Sequence, residues 1–333
     1  MRVLLVGAGY FGRFHASAWA RAEGAELVGV VEQDAAKAEG LGAPVFADAA
    51  EAARRLRPDI VDIAAPPVAH FALIRDLAPL CPNLICQKPL CTSLEEAEAA
   101  LALIEAAGGR LIVHENIRNQ PWYAEALRLV ADGAVGAPFA ASFRLRPGDG
   151  RGPAAYLARQ PYFQKMPRFL LHETAVHWFD LFRAMFGEPA GVYADLRRLN
   201  PAIAGEDAGL VVLDWPDGRR AVFDGNRLMD HAATNLRRTM GDMLIEGDAA
   251  ALRIDGEGRL FLRPFGAAEE RAHRFDWEDR DFGGDCVYIS CLKYLDSFRS
   301  GAASETEAAI WLLNVMIEEA AYRSAAEARR IAL

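Results

Sequence analysis

The sequence predicts an α/β protein of two domains: a doubly wound parallel sheet, then an α+β domain with a large, mainly antiparallel, open-faced sheet. Three observations support this prediction. Up to about residue 118, short apolar runs alternate with helical patterns, as in parallel strands joined by helices. From about residue 139, β-branched and aromatic runs follow one another with only turn residues between them. The length of 333 residues also favours two domains over one.

We place the first domain at residues 1–120 and the second at residues 121–333. In the first domain, we expect a helix at 93–107 and strands at 3–6, 26–32, 58–64, 83–86 and 110–114. In the second domain, we expect strands near 139–146, 191–199, 207–214, 219–226, 243–247, 250–254 and 259–263. Helices are expected near 169–186, 284–300 and 305–328. A sheet with one bare apolar face tends to be covered, so we predict a homodimer or homotetramer formed through it.

The first predicted strand runs directly into a glycine-rich turn, in which residues 7–12 read G-A-G-Y-F-G. In such a turn, Gly7 permits the tight bend, Gly9 lets the backbone approach a pyrophosphate, and Gly12 lets the helix pack close to the strand. The start of the helix adds free N–H groups and the positive end of its dipole. A strand before the turn and a helix after it therefore predict a Rossmann domain that binds a dinucleotide.

Glu32 ends the second predicted strand, about 20 residues after the last glycine of the turn. A carboxylate at this point binds the adenosine ribose hydroxyls of NAD and repels the 2′-phosphate of NADP. Gln33 and Asp34 provide no arginine for that phosphate, and Lys37 is the one cation that follows closely. We therefore predict NAD, with NADP possible. A solvated strand end is the alternative interpretation of Glu32 taken alone.

The composition argues against several other classes of function. A net charge of −9 and a pI near 5.4 do not favour nucleic acid or an anionic membrane as partner. No apolar run reaches the roughly 18 residues of a membrane span. The five cysteines form no C-x-x-C pair, which predicts reduced, mostly buried thiols and no metal site. The chain enters its first strand at once, unlike a signal peptide, so we expect a cytoplasmic protein.

Ligands of such sheets lie beyond the carboxyl ends of the strands, where Lys88 falls. An ammonium group at this point can hydrogen-bond a substrate hydroxyl and stabilise negative charge that develops on its oxygen. A surface lysine that caps the strand is the alternative. The predicted cofactor contacts in the turn and along this edge are Gly7, Gly9, Tyr10, Phe11, Gly12, Glu32, Ala65, Pro66, Pro67, His70, Gln87, Lys88 and Glu115.

A second segment that could carry chemistry is residues 172–180, H-E-T-A-V-H-W-F-D, in a helical pattern. Glu173 and His177 are four residues apart and share a helix face, with Asp180 near the same stripe. This arrangement suits a general base with a carboxylate that orients it. His172 lies five residues before His177, which argues against the zinc motif H-E-x-x-H. A buried histidine with a purely structural role is the alternative for His177.

Together these segments resemble the Gfo/Idh/MocA family of oxidoreductases over nearly the whole chain. The shared order is the glycine turn, the acidic end of the second strand, P-P-x-x-H at 66–70, K-P at 88–89 and E-x-x-x-H-x-x-D at 173–180. Residues 116–121, 133–138 and 319–325 are also similar to segments of the family. The resemblance implies NAD(P)-dependent oxidation or reduction of a sugar, cyclitol or related polyol. It also implies that Lys88, Glu173 and His177 are the catalytic residues and that the second domain binds substrate.

Two residues depart from the family pattern. Gln87 stands where the family has glutamate before the lysine, and Glu173 stands where it has aspartate. Our hypothesis is that Gln87, by removing an anion, lets Lys88 lose its proton more easily than in relatives. Glu173 is one methylene longer than aspartate, so its carboxylate is placed differently from that of the family residue.

The loop 160–168 precedes the catalytic segment, and loops at this place often decide specificity, although a surface loop tied down by prolines is the alternative. The predicted substrate contacts are Lys88, Arg118, Trp122, Tyr162, Lys165, Arg168, His172, Glu173 and His177. A polyol suits these hydrogen-bond donors, whereas a carboxylated sugar would make better use of Arg118 and Arg168. Two other classes stay open: a lyase or glycosidase that retains NAD, and a non-catalytic sensor of NAD(P), which should have lost Lys88 and His177.

Overall fold

The computed structural model describes residues 1–333 and divides into two compact units. The first unit consists of Met1–Asn116 and Asp285–Val315, and the second of Ile117–Gly284 and Met316–Leu333. The strands are β1 (Arg2–Val6), β2 (Glu26–Val31), β3 (Val45–Phe46), β4 (Ile60–Ile63), β5 (Asn83–Gln87), β6 (Arg110–His114), β7 (Pro138–Leu145), β8 (Gly191–Arg197), β9 (Ala208–Asp214), β10 (Arg220–Asn226), β11 (Gly241–Gly247), β12 (Ala250–Ile254), β13 (Leu260–Pro264), β14 (Arg271–His273) and β15 (Ile331–Ala332). The helices are α1 (Gly12–Arg21), α2 (Ala49–Leu56), α3 (His70–Leu77), α4 (Leu94–Ala106), α5 (Pro121–Ala131), α6 (Val176–Phe186), α7 (Cys286–Ser300) and α8 (Ala308–Glu327).

The first unit contains a six-stranded parallel sheet in the order β3-β2-β1-β4-β5-β6, which confirms the predicted doubly wound fold. Its central strands are fully buried: Leu4 and Leu5 in β1 and Val61 in β4 have no exposed surface. Such strands read as continuous apolar runs because helices cover both faces. Strand β3 was not predicted, since two residues are too short to show a period.

The chain returns to the first unit after the second sheet, which differs from the predicted continuous domain at 121–333. Arg21 of α1 donates hydrogen bonds of 2.7 and 2.6 Å to Asp285, just before α7. Its guanidinium carbon also lies 4.4 Å from the ring centre of Tyr288. These contacts tie α7 to the first unit, and no local sequence pattern predicts them.

The second unit contains a nine-stranded sheet in the order β14-β13-β12-β11-β7-β10-β9-β8-β15. All neighbours are antiparallel except β7 and β10, which run parallel. All seven predicted strands are present, whereas the short strands β14 and β15 were not predicted. Buried and half-exposed residues alternate along β10 and β11, as expected when helices cover only one face.

Aromatic packing fixes α6 on the covered face of this sheet. Trp178 stacks on Phe143 of β7 with ring centres 4.0 Å apart, and it lies 5.8 Å from Phe223 of β10. All three side chains are buried. Because Trp178 follows His177 directly, this packing sets the position of the predicted catalytic histidine on its helix. None of the eight helices has the length and apolar character needed to cross a membrane.

Candidate active site

The glycine-rich turn has the geometry that its motif predicts. The Gly7 N–H donates to the carbonyl of Val31 at 2.8 Å, and Gly7 has a φ of +103°, a conformation that favours glycine. A Cβ at Gly7 would lie 2.7 Å from the carbonyl oxygen of Ala64, and one at Gly12 would lie 2.2 Å from the oxygen of Gly7. The two outer glycines therefore close the turn.

Gly9 differs from the two outer glycines. A Cβ added at Gly9 would have no atom within 4 Å, so its backbone faces open space at the start of α1. This is the opening through which a pyrophosphate would approach the free N–H groups of the helix. The turn thus fits the phosphates of a dinucleotide.

This contrast predicts different outcomes for two alanine variants. We expect Gly12→Ala to lower the free energy of unfolding by about 1–3 kcal/mol, because its methyl group overlaps a backbone oxygen. Gly9→Ala should change it by no more than about 0.5 kcal/mol, yet weaken NAD binding about tenfold. Urea unfolding and calorimetric NAD titration measure the two effects. If Gly9→Ala binds NAD as tightly as the unchanged chain, the phosphates do not approach at Gly9.

Glu32 lies beside the glycine turn, as the adenosine end of the site requires. Its carboxylate accepts hydrogen bonds from the N–H groups of Ala8 at 2.9 Å and Asp34 at 3.1 Å. The nearby Lys37 lies 3.9 Å from Asp34 through its Nζ, and about half of its side chain is exposed. A carboxylate at this point and a lysine that already faces an acid both favour NAD over NADP.

The strand ends beyond β4 and β5 are joined by His70. Its two ring nitrogens lie 3.0 Å from the Pro89 oxygen and 2.9 Å from the Ala65 oxygen. His70 and Glu115 have no exposed surface in this structure, and their contact with the cofactor stays a prediction. His70 holds the loop after β4 against the segment that contains Lys88.

The remaining predicted cofactor contacts range from exposed to nearly buried. Tyr10 and Pro66 are exposed, while Phe11, Ala65, Pro67 and Lys88 are half-buried. Gln87 is only 7% exposed, and its side-chain oxygen accepts the Lys88 N–H at 3.0 Å. The cofactor role of these residues stays a prediction.

In the second unit, a π-helical turn at Leu170–Ala175 precedes α6, where a regular α-helix was predicted. A buried carboxylate, Glu206, holds the start of this turn by accepting the N–H groups of Phe169 and Leu171, both at 3.1 Å. The hydroxyl of Tyr322 donates to the same oxygen at 2.6 Å. π-helical turns are frequent at functional sites, and this one carries both His172 and Glu173.

Glu173 is held by partners that the sequence did not indicate. Its carboxylate accepts a hydrogen bond from the hydroxyl of Thr174 at 2.6 Å and lies 3.6 Å from the guanidinium of Arg227. Partial burial, together with the negative charge of Glu173, raises the pKa of Tyr162 to about 12. Tyr162 and Glu173, both predicted site residues, are therefore near neighbours, and Tyr162 keeps its proton at neutral pH.

His172 has a buried carboxylate partner of its own. Its Nδ1 lies 2.8 Å from Oε1 of Glu318, while Oε2 of Glu318 has no hydrogen-bond partner. His177 is also buried, at 6% exposure, and its ring meets the edge of Trp178 at 6.1 Å between centres. No local pattern indicates Glu318 as this partner, because it lies 146 residues after His172 in the chain.

Two predicted substrate-binding arginines hold carboxylates of the protein. Arg118 donates to both oxygens of Asp180 at 2.6 and 2.7 Å, with both side chains largely buried. Arg168 pairs with Glu319, which raises the pKa of Arg168, and its guanidinium carbon lies 4.5 Å from the ring centre of Tyr322.

Trp122 and Lys165 differ in exposure. Trp122 has no exposed surface and packs against Trp277 at 5.3 Å between ring centres, and its contact with substrate stays a prediction. Lys165 is exposed.

A shallow surface depression of about 650 Å³ in this unit is lined by Arg151, Gly152, Pro153, Leu199, Asn200, Pro201, Ala202, Asn226, Leu228 and Met229, none of which is a predicted site residue.

The cysteines are poor candidates for nucleophiles. All five are free and buried, as predicted. Burial raises the pKa of the Cys81 thiol to about 11 and those of Cys91 and Cys286 to about 12. These side chains stay protonated at neutral pH, and a protonated thiol is a weak nucleophile. No group of histidine, cysteine and acidic side chains is arranged to hold a metal ion.

The glycine turn with its acidic strand end defines an NAD-binding domain, and comparison with known families places this domain in an oxidoreductase. Residues 1–115 match the model described as oxidoreductase family, NAD-binding Rossmann fold, and residues 123–252 match the GFO/IDH/MocA C-terminal domain. The chain belongs to the Gfo/Idh/MocA family.

Individual relatives extend this result over the whole chain. D-apiose dehydrogenase of Paraburkholderia graminis is 29% identical over 99% of this chain and 88% of its own length. Inositol 2-dehydrogenase of Rhizobium meliloti is 28% identical over 68% of this chain and 69% of its own. An oxidoreductase from Agrobacterium radiobacter, solved in complex with NAD+, L-tartaric acid and magnesium, is 27% identical with a TM-score of 0.87, covering 100% of this chain and 98% of that one.

Proposed function

We propose that this chain is an NAD-dependent dehydrogenase for a secondary alcohol of a neutral sugar, cyclitol or related polyol. Lys88 and His177 act at the reacting hydroxyl. The names of the similar D-apiose and inositol dehydrogenases support this class of substrate. NADP stays possible as the cofactor, although Glu32 disfavours its 2′-phosphate.

The preference for a neutral substrate rests on the pairing of the arginines. A substrate carboxylate would be held most strongly by a free guanidinium, which offers two parallel N–H donors. Asp180 takes both of those donors from Arg118, and Glu319 pairs with Arg168. A charged substrate would have to displace these acids, whereas hydroxyl groups need only single hydrogen bonds.

The protein's part in the reaction is proton transfer and charge stabilisation. NAD, when bound, supplies a nicotinamide ring that accepts a hydride from the alcohol carbon. His177 takes the hydroxyl proton, so that the alcohol loses a hydride and a proton and becomes a carbonyl. The ammonium of Lys88 stabilises the negative charge that develops on the oxygen. Glu173 orients the imidazole or the sugar, with its own position set by Thr174 and Arg227.

We also propose that a second copy of this chain covers the open face of the nine-stranded sheet, giving a homodimer or homotetramer. On this face, the large apolar side chains of Tyr193 in β8 and Leu210 in β9 are each 39% exposed. Burying such surface in a second copy is favourable. Light scattering of the purified chain measures the number of copies, and a monomer at micromolar concentration would contradict this.

Absorbance at 340 nm tests the proposed reaction. The purified chain is mixed with NAD, or with NADP in parallel, and with a panel that includes D-apiose, myo-inositol, neutral hexoses and the matching sugar acids. We expect NADH to form with one or more neutral members and more slowly with the acid that matches it. Faster turnover of the acid would contradict the argument from the paired arginines.

Two other outcomes would replace the proposal. Conversion of a sugar without net NADH, yet dependent on added NAD, would identify a lyase or glycosidase that retains its cofactor. Binding of NAD without conversion of any panel member, alone or as a glycoside, would favour a sensor.

A further inference from the structure

A chain of buried hydrogen bonds in the first unit leads from Asp62 of β4 to the backbone of Lys88. Oδ2 of Asp62 lies 2.7 Å from Nδ1 of His15, and Nε2 of His15 lies 3.0 Å from Nε2 of Gln87. Oε1 of Gln87 then accepts the N–H of Lys88 at 3.0 Å. His15 and Asp62 have no exposed surface, and Gln87 is 7% exposed. Water therefore plays little part in these bonds.

The backbone N–H of Lys88 determines where the proton lies in each of these hydrogen bonds. An N–H can only donate, so the Gln87 atom that faces it is the oxygen and the atom that faces His15 is the NH₂ group. Since that NH₂ donates, Nε2 of His15 must accept and carries no proton. The one ring proton of His15 is then on Nδ1, from which it is donated to Asp62. The Nε1–H of Trp19 donates to the same Asp62 oxygen at 2.6 Å, as expected of a carboxylate.

We infer that His15 and Asp62 are positioning residues for Lys88, and that His15 acts as a neutral imidazole with its proton on Nδ1. Asp62 fixes the tautomer of His15, His15 fixes the amide of Gln87, and Gln87 holds the backbone from which the Lys88 side chain extends. The positioning role rests on the proposed function of Lys88. The tautomer of His15 follows from the hydrogen bonds alone and is independent of that function.

Other ionisable groups surround the bonded residues. The ring of His114 lies 4.2 Å from that of His15 between centres, and Tyr294 of α7 packs on His114 at 5.6 Å. The thiols of Cys86 and Cys291 lie near Asp62, and Glu115 and Arg21 lie near this group of residues. Burial raises the pKa of both thiols and of Tyr294, so these groups stay neutral.

This arrangement changes what a glutamate at position 87 would do. A carboxylate there would still accept the Lys88 N–H, but its second oxygen would face the bare Nε2 of His15. Uptake of one proton by His15 removes that conflict and places an imidazolium between two carboxylates. The group then has one net negative charge with either residue at 87. The structure therefore assigns the effect of the Gln87 substitution to His15, in place of the sequence-based hypothesis that it acts on the proton of Lys88.

Nitrogen-15 NMR of the histidine rings in the full chain tests the tautomer directly. We expect His15, assigned by loss of its signals in His15→Gln, to show a protonated Nδ1 and an unprotonated Nε2 at pH 7. In Gln87→Glu, both nitrogens should be protonated. A proton on Nε2 of the unchanged chain, or a neutral His15 in a folded Gln87→Glu variant, would overturn the inference.

The dependence of stability on pH provides a second test that needs no catalysis. The extra proton in folded Gln87→Glu is bound more tightly than in the unfolded chain, so its stabilising effect is present at low pH and lost as pH rises. The unfolding equilibrium constant of this variant, relative to the unchanged chain, should rise by up to tenfold per pH unit over the range in which the unfolded chain has lost that proton and the folded variant still holds it. A ratio that is constant from pH 6 to pH 9 would contradict the proton uptake.

Asp62→Asn tests the positioning role. We expect kcat to fall by about 10- to 100-fold, because the Lys88 segment loses its fixed position, with the dissociation constant of NAD within about twofold. Unchanged kcat in a folded Asp62→Asn variant, with His15 no longer held in the Nδ1–H tautomer by NMR, would refute positioning. If no substrate is turned over by the unchanged chain, the proposed function fails, while the two tests of His15 still decide its protonation.

Discussion

Replacing His177 by alanine is expected to lower kcat by about 10²- to 10⁴-fold, the usual effect of losing a general base. The dissociation constant of NAD should stay within about twofold, since none of the predicted cofactor contacts is changed. NADH formation in the steady state and calorimetric titration with NAD measure the two quantities. Near-full turnover by His177→Ala would end the assignment of His177 as the base.

The control must separate catalysis from packing, because His177 is only 6% exposed. Its buried ring could stabilise α6 without touching substrate. His231, in the same unit, bonds the Arg146 oxygen at 2.8 Å through Nδ1 and belongs to no predicted site. We expect His231→Ala to keep kcat within about twofold. Added imidazole should restore part of the activity of His177→Ala if the lost group is a base, whereas it cannot restore lost packing.

Lys88→Met provides the companion measurement for the oxyanion. Methionine retains most of the length and apolar surface of lysine but removes its charge. We expect kcat to fall by about 10²- to 10³-fold, the effect of losing one group that stabilises developing charge. Lys293→Met, which removes an exposed lysine 3.6 Å from Glu305, is the matched control and should behave like the unchanged chain. Equal rates for both variants would leave Lys88 as a surface residue that caps β5.

Local sequence patterns predicted most of the fold correctly. The first sheet and the seven longer strands of the second could be predicted, because burial on one or two faces leaves a period in the sequence. The motif also predicted the bend at Gly7 and the carboxylate at Glu32, since a turn and a strand end are local features. The three two- or three-residue strands had no period to detect.

The partners of the site residues could not be predicted in this way. Arg21 meets Asp285 across 264 positions, and His172 meets Glu318 across 146. Hydrophobic periodicity carries no information about which distant acid will face a given base. The same limit explains why the burial of His70, Glu115 and Trp122 could not be predicted from residue types that suit a ligand.

Arg227→Met is expected to lower the free energy of unfolding of the second unit by about 3–5 kcal/mol, the effect of breaking a buried ion pair. Arg227 donates to Asp149 at 2.8 and 3.1 Å and to the Thr174 hydroxyl at 2.7 Å. Burial lowers the pKa of Arg227, but the charge and hydrogen bonds of Asp149 keep the pKa of Arg227 above the ordinary value. Methionine fills the same space but leaves Asp149 without its strongest partner.

The same variant should weaken substrate binding. The guanidinium carbon of Arg227 lies 5.1, 5.8 and 4.7 Å from the ring centres of Tyr156, Phe163 and Phe169, which pack together within the segment leading to the π-helical turn. Losing Arg227 frees this segment together with Glu173. We expect a higher KM for the sugar and an unchanged dissociation constant of NAD, measured by the 340 nm assay and by calorimetry.

Arg253→Met is the matched control, since Arg253 also pairs with a carboxylate and lies over an aromatic ring. It bonds Glu270 at 2.9 and 3.1 Å and is centred 4.3 Å from Phe261, but it is partly exposed to water, which screens the charges. Its loss should therefore cost no more than about 1 kcal/mol. If urea unfolding showed equal losses in the free energy of unfolding for the two variants, burial would not explain the stabilising effect of Arg227. A loss confined to Arg227, accompanied by the rise in KM, would show that one buried cation supports both the packing of the second unit and the predicted substrate loop.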